Sequence, residues 1–326
     1  KKGIRPERPM AVASVASQMA ITASPVSVAV VSLVSILGAA HGIGHAYSIL
    51  EILAISVPAS LCGVIVAALW SLRRGKDLDK DPEFQAKISD PKQREFIYGN
   101  SETLLNQKFD KRAYWSTWIF FAAILVVVLL GAFSELRPSY EMKGVMKPLS
   151  MNLVIQMMML IAGAIILMAC KVKPADISSG AVFKAGMVAI FSVFGVAWMS
   201  DTFFQAHMQD LKLVLEDVVK SQPWTYALVL FLVSKLVNSQ AAALTAIAPM
   251  GLQLGVDPKM LIAFFPAAYG YFVLPTYPSD LACIGFDRSG TTKIGKFIIN
   301  HSFILPGFIG VITSCIVGYV LVTSFM

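Results

Sequence analysis

LFLVSKLVNSQAAALTAIAP, Leu230 to Pro249, has the apolar arms of a membrane helix but a polar middle, with Lys235, Asn238, Ser239 and Gln240 between them. A cation at the centre of a bilayer costs about 3 kcal/mol, so the stretch is not an ordinary span. Each arm is about 14 residues, roughly 21 Å of helix, enough to reach the bilayer centre and no further. The pattern predicts a re-entrant hairpin over 223–250, with the polar residues at a tip that lines a protein cavity, where irregular backbone is tolerated at that depth.

The rest of the chain puts this hairpin in a membrane protein. Of 326 residues, 56% are hydrophobic and 14% charged, with mean hydropathy +0.68, which leaves too little polar surface for a soluble domain. Apolar runs near Met10–Leu37, Ile49–Leu72, Ala113–Phe133, Leu149–Cys170, Ala185–Ser200, Pro223–Met250, Pro258–Phe286 and Phe297–Met326 reach the length of a spanning helix in most cases. They do not alternate as barrel strands would. The fold class is therefore all-α integral membrane, polytopic and helical. The net charge of +7 lies in loops beside the apolar runs, where the orientation rule accounts for it, so nucleic acid is not an expected partner. Cys62, Cys170, Cys283 and Cys315 have neither disulfide nor metal spacing. His41 and His45 stand four apart in a glycine-broken loop with no third ligand, so no metal is expected. The opening KKGIRPERPM, without an initiator Met and close to an apolar run, suggests a larger protein lacking its N-terminal part.

The one long polar segment, Arg73–Arg112, holds 10 Lys or Arg and 8 Asp or Glu and reads as a cytoplasmic linker. It divides the chain into 1–72, the linker 73–112, and 113–326, the last containing the hairpin 223–250, an interrupted helix 258–286 and a final helix 297–326. If 223–250 crossed the membrane once, Asp287, Arg288, Lys293 and Lys296 would lie outside, against the charge rule; as a hairpin, it returns them inside. Gly3–Val30 and Gly255–Ala282 share a plan of Gly and Pro entry, apolar half-helix and polar Pro-containing break, in opposed orientations. Inverted repeats of this kind place substrate near mid-membrane at the breaks.

In LPTYPSDLA two prolines disrupt the helix and free backbone groups near Thr276 and Ser279, and freed N–H groups at a half-helix start attract anions. Asp280 sits mid-membrane with Lys235 as its nearest plausible partner. Two readings stand: Lys235 holds a substrate carboxylate while Asp280 sets protonation or takes a coupling Na+ or H+, or the two form a permanent ion pair that pins hairpin to helix. Asn238, Ser239 and Gln240 are candidate ligand contacts. The first break offers Gln18, Thr22, Ser24 and Ser27 around Pro25, with Thr22 and Ser24 favoured for substrate. Arg5 precedes it, as a bidentate carboxylate clamp or a snorkelling cation. Asp201 reads as a helix cap or coupling-ion ligand. No other cofactor is expected.

IRPERPM with ASPVSVAVVSL, SLRRGKDLDKDPEFQ, VSKLVNSQAAAL, LPTYPSDLA and DRSGTTKIGKFIINHSFILPG together resemble the Dcu family of anaerobic C4-dicarboxylate transporters, end to end. VSKLVNSQAAAL and LPTYPSDLA resemble its DcuB branch, which retains the Lys and Asp, more than its DcuA branch. The resemblance implies an exchanger of the bacterial inner membrane that takes up fumarate, malate or aspartate and releases succinate. It implies the ion-transporter superfamily fold, in which each inverted repeat has a re-entrant hairpin and a broken helix, the first hairpin being missing here. Homo-oligomers and a membrane sensor protein are conceivable partners. The alternatives are a membrane substrate sensor and an intramembrane aspartyl hydrolase using Asp201 and Asp280, which the YPSDL context disfavours.

Overall fold

A computed structural model describes residues 3–25, 27–39, 47–99, 108–142, 145–149, 151–180 and 224–326, with isolated positions between 183 and 222. His41, His45, Asp201 and the apolar run 185–200 fall outside the described residues, apart from position 187. The first interrupted helix comprises α1 (Glu7–Met19), a 3-10 turn (Ala20–Ala23), an extended Ser24 and α2 (Val28–Ala39). Pro25 explains the bend: a residue before proline is driven out of helical geometry, and Ser24 has φ −106° and ψ 124°. Then come α3 (Ile49–Leu72), begun by a Ser48/Glu51 capping box, and two short linker helices, α4 (Pro82–Ile88) and α5 (Pro91–Tyr98). Each of these starts with an Asp cap followed by Pro, the residue pair that best opens a helix.

Beyond the linker lie α6 (Lys111–Ala132), a two-stranded antiparallel ribbon β1 (Ser139–Met142) and β2 (Val145–Pro148), α7 (Met151–Ala169) and α8 (Pro174–Ser179). The ribbon, pairing Ser139 with Pro148, is a small addition to an otherwise helical protein. Four segments among the described residues are long and apolar enough to cross a bilayer: 7–38, Ile49–Leu72, Lys111–Gly131 and Ile304–Phe325. Leu69, Trp115, Trp118, Leu125 and Ile316 are all exposed on them, the pattern of surfaces that face lipid rather than water.

The decisive stretch forms two antiparallel helices, α9 (Thr225–Val237) and α10 (Gln240–Gln253). Their arms, of 13 and 14 residues, are each too short to span. The second interrupted helix follows: α11 (Pro258–Ala263), 3-10 turns at Phe265–Ala268 and Tyr271–Val273, and α12 (Pro278–Phe286). The final helix, α13 (Ile304–Phe325), begins later than the expected 297. Residues 293–302 instead fold back on themselves through an Ile294–His301 bridge, with Gly295 N–H donating to Asn300 O at 2.6 Å and Ser302 N–H to Lys293 O at 3.1 Å.

The hairpin is wedged into the core. Tyr226, Leu230, Val233, Leu244 and Ile247 are buried in one cluster with Leu33 and Leu37 of α2, Ile52 and Ile55 of α3 and Leu261 of α11. Helices α3 and α13 approach closely because small residues line their seam. A Cβ on Gly63 would overlap Ser314 Oγ and the Gly310 carbonyl, the close contact by which membrane helices gain van der Waals energy.

Polar contacts at one end of the bundle settle which loops share a side. Arg5 pairs with Asp81 at 2.6 Å, Arg8 with Asp77 at 2.7 Å and Arg74 with Glu7 at 2.9 Å. Glu7 N–H donates to Thr291 Oγ1 at 3.2 Å, and Lys87 Nζ donates to Ser289 O at 3.1 Å. The N-terminal segment, the linker and the 287–302 loop therefore meet on one side, as the hairpin requires. At the opposite end the Lys259 ammonium reaches the carbonyl of Met326.

Two outcomes follow. In full-length protein freed of native cysteines, a cysteine replacing Asp257 should react with impermeant maleimide from the outer face and one replacing Lys296 only from the cytoplasmic face; the reverse assignment, which a single crossing by 223–250 requires, would exclude the hairpin. Burial raises the pKa of Asp287, but the Ser289 hydroxyl, the Thr292 N–H and the Thr291 hydroxyl outweigh it and hold the carboxyl below its ordinary 3.8. Its contribution is complete above that value and is lost as pH falls through the lower folded one. Asp287→Asn should cost about 1–3 kcal/mol at neutral pH and flatten the acid-side fall in thermal melting; melting curves matching the parent at every pH would contradict this.

Candidate binding site at the hairpin tip

The tip depends on one left-handed residue. Asn238, at φ 47° and ψ 31°, ends α9, and asparagine is among the few side chains that tolerate this region. Ser239 is then extended, and its hydroxyl accepts the Ala242 N–H at 3.3 Å, capping α10. A two-residue link thus reverses the chain and presents a helix N-terminus at the tip.

Facing it is the break of the second interrupted helix. The two backbones touch at Gly270, where a Cβ would run into the Phe231 carbonyl. Fully buried Ser234 bridges them, accepting the Gly270 N–H at 2.7 Å and donating to Phe231 O at 2.8 Å. The next residue, Lys235, reaches through Nζ to Asn238 Oδ1 at 3.0 Å, Tyr271 O and Leu274 O at 3.3 Å, and Thr276 Oγ1 at 3.4 Å. The ammonium is thus solvated by carbonyl, amide and hydroxyl oxygens freed by the break.

The permanent Lys235–Asp280 ion pair, one of the two readings of these residues, is not formed. Asp280, 1% exposed in the first turn of α12, accepts the Ser14 hydroxyl on Oδ1 at 2.6 Å. Ser14 Oγ lies 2.8 Å from Ser279 Oγ, which also accepts Gln18 Nε2 at 3.2 Å. Gln240 Nε2 donates to Gln18 O at 2.9 Å and to Tyr271 O–H at 3.2 Å, while that phenol donates to Gln18 Oε1 at 2.6 Å. Gln18 is therefore where α1, the hairpin tip and the second break join.

Of the residues expected in a site, Lys235, Asn238, Gln240, Thr276, Ser279 and Asp280 lie around this junction, with Ser239 as the cap beside it. Thr22 does not join them: its hydroxyl bonds Met19 O at 2.9 Å and Ser60 Oγ at 3.0 Å, fastening the 3-10 turn to α3. Ser24 forms the bend, its carbonyl accepting Ser27 N–H at 3.1 Å. Arg5 is not a clamp at the tip in this conformation. It lies at the polar end with Glu7 at 2.7 Å and Asp81, because Glu7 opens α1 there. Burial works against its charge, yet Glu7 and Asp81 hold its pKa above the ordinary value.

Sequence reasoning missed Ser14, Ser234 and Tyr271. Ser14 had a signal, since it stands four residues before Gln18 on one helix face. Ser234 and Tyr271 had none, as each is defined by a partner in a different element. The assembled site offers one ammonium, the N-termini of α10 and α12, several neutral polar groups and the Asp280 carboxyl, which sits in the first turn of α12 and is bonded by Ser14; the ammonium and the α10 N-terminus are the parts suited to a small anion that carries oxygen acceptors.

The family model for anaerobic C4-dicarboxylate membrane transporters matches residues 1–326. The chain is 57% identical over 320 residues to the anaerobic C4-dicarboxylate transporter DcuB of Escherichia coli O157:H7 and to that of Shigella flexneri, covering 98% of this chain and 71% of each relative. It is 37% identical over 321 residues to the C4-dicarboxylate transporter DcuA of Wolinella succinogenes, over 98% and 71% of the two chains. No solved structure matches. These relatives are transporters and not enzymes, which overturns the aspartyl hydrolase alternative. With its apolar helices, the protein is a multi-pass protein of the bacterial inner membrane. The chain belongs to the DcuA/DcuB family of C4-dicarboxylate membrane transporters.

Proposed function

We propose that the protein exchanges C4-dicarboxylates, taking up fumarate, malate or aspartate against succinate, and that the dianion binds at the hairpin tip. The observation that carries this reading is the solvation of Lys235 by Tyr271 O, Leu274 O and Thr276 rather than by a carboxylate. The ammonium ties the hairpin to the broken helix. A substrate carboxylate competes for the same three N–H donors, and a charge-assisted bond to it is stronger than one to a neutral carbonyl. Asn238, Ser239, Gln240 and the N-terminus of α10 then face the rest of the dianion.

Exchange follows from the same lock. With substrate bound, the tie between hairpin and break is replaced by contacts to the ligand, and the substrate-bearing elements can move. Without it the tie re-forms and the empty site stays where it is, so return requires a second dicarboxylate.

In liposomes loaded with labelled succinate, efflux by the full-length protein into buffer containing fumarate should be at least about tenfold faster than into buffer alone, a barrier difference of about 1.4 kcal/mol; equal rates would make it a uniporter. Lys235→Ala should weaken equilibrium binding of fumarate by about 10- to 100-fold, the worth of a charged hydrogen bond of about 1.5–3 kcal/mol. Unchanged binding would remove lysine from the site. Lost binding with intact counterflow would assign the tip to sensing substrate for a partner protein instead of to carrying it.

A further inference from the structure

One buried titratable group has no part in the reading above. His301 lies in the 287–303 loop at the polar end and is 2% exposed. Its Nδ1 accepts the Phe303 N–H at 3.2 Å, and its Nε2 lies 3.1 Å from Val273 O. Nδ1 is thus an acceptor and Nε2 must carry the proton, so the ring is neutral and donates to Val273 O. Val273 immediately precedes Leu274, whose carbonyl accepts from Lys235.

The next residue faces the other way. Ser302 Oγ donates to Glu7 Oε1 at 2.8 Å, the Arg74 guanidinium donates to Ser302 O, and Lys293 N–H donates to Ser302 Oγ at 3.0 Å. Two adjacent residues therefore fasten one end of the lysine's carbonyl cage to the ion cluster that joins α1, the segment just after α3 and the loop.

We propose that His301 is a positioning residue for dicarboxylate binding, holding the backbone at Val273 so that the adjoining Leu274 carbonyl is in place for Lys235, and coupling that cage through Ser302 to the Glu7–Arg74 cluster. The proposal rests on Lys235 belonging to the binding site. Protonation would turn Nδ1 into a second donor aimed at the Phe303 N–H, and the turn could not keep its geometry. The charged groups that act on the ring are Arg74, just beyond the end of α3, and Lys235 from the hairpin; Glu7 from α1 and Lys293 from its own loop bond the neighbouring Ser302. Burial first, then Arg74 and Lys235, hold the imidazole below its ordinary 6.5 against the bond to Val273. The native arrangement is therefore complete above that value and is lost as pH falls through the lower folded one.

The test measures fumarate affinity of the full-length protein between about pH 5 and pH 8, over which both fumarate carboxylates stay ionised, with thermal melting as the check on folding. The parent should lose at least tenfold in affinity toward the acid end. His301→Gln, whose amide nitrogen replaces Nε2 as donor but does not titrate, should bind within about threefold of the parent at pH 8 and lose the acid-side fall. His301→Phe, which keeps a ring but cannot donate, should bind at least about tenfold more weakly at pH 8 while still melting cooperatively. Parent-like affinity and pH profile in both variants would overturn the proposal; if His301→Phe does not fold, the pH profile of His301→Gln alone decides. Retained binding by Lys235→Ala would instead fail the site reading beneath it, so the two failures are distinct.

Discussion

A lysine ammonium part-buried between apolar helices must be solvated by protein, and that requirement organises this structure. Among the described residues no carboxylate touches Lys235; its donors are met by Asn238 Oδ1, two backbone carbonyls and a threonine hydroxyl. Backbone carbonyls are free there only where a helix is interrupted, so the hairpin and the broken helix need each other. The left-handed turn at Asn238, the glycine contact at Gly270 and the Ser234 bridge all bring the lysine to those carbonyls.

The same requirement fixes how the chain is threaded. A hairpin that enters and leaves on one side lets 287–302 rejoin the N-terminal segment and the linker, and the ion pairs among Arg5, Glu7, Arg74 and Asp81 close that side. Gln18 plays the matching part inside the helix bundle. Its backbone carbonyl, side-chain carbonyl and amide each bond a different element, so α1, the hairpin and the second break move only together or by breaking named bonds. Family membership says that C4-dicarboxylates are what such transporters carry; the geometry says where a dianion would find a cation and a helix N-terminus.

The hairpin and both helix breaks were legible in the sequence because each rests on a local rule. Lys235 to Gln240 interrupt an apolar run, prolines at 25, 275 and 278 mark the bends, and the charges at 287–296 fall on the wrong side unless the chain turns back. The partners were not legible. Lys235 and Asp280 stood out as opposite charges and invited a pair, yet carbonyls from the break solvate one and Ser14, 266 positions away in sequence, satisfies the other. By residue type Arg5 reads as a carboxylate clamp or a snorkelling cation, whereas its place is set by Asp81, the cap of a linker helix. The late start of the final helix escaped for a similar reason. KFIINHSF, Lys296 to Phe303, is apolar enough to extend a span, but the turn holding His301 and Ser302 competes with helix there, and its stabilising bonds come from Val273, Arg74 and Glu7.

The central claim is that a dicarboxylate replaces the break's oxygens around Lys235. An electron cryo-microscopy map of the full-length protein with bound fumarate tests it directly. The account predicts ligand density within hydrogen-bond distance of Lys235 Nζ, between the Asn238–Gln240 tip and the start of α12, with at least one of the Tyr271 and Leu274 carbonyl contacts released. Density elsewhere, with Lys235 still bound to both carbonyls, would contradict it.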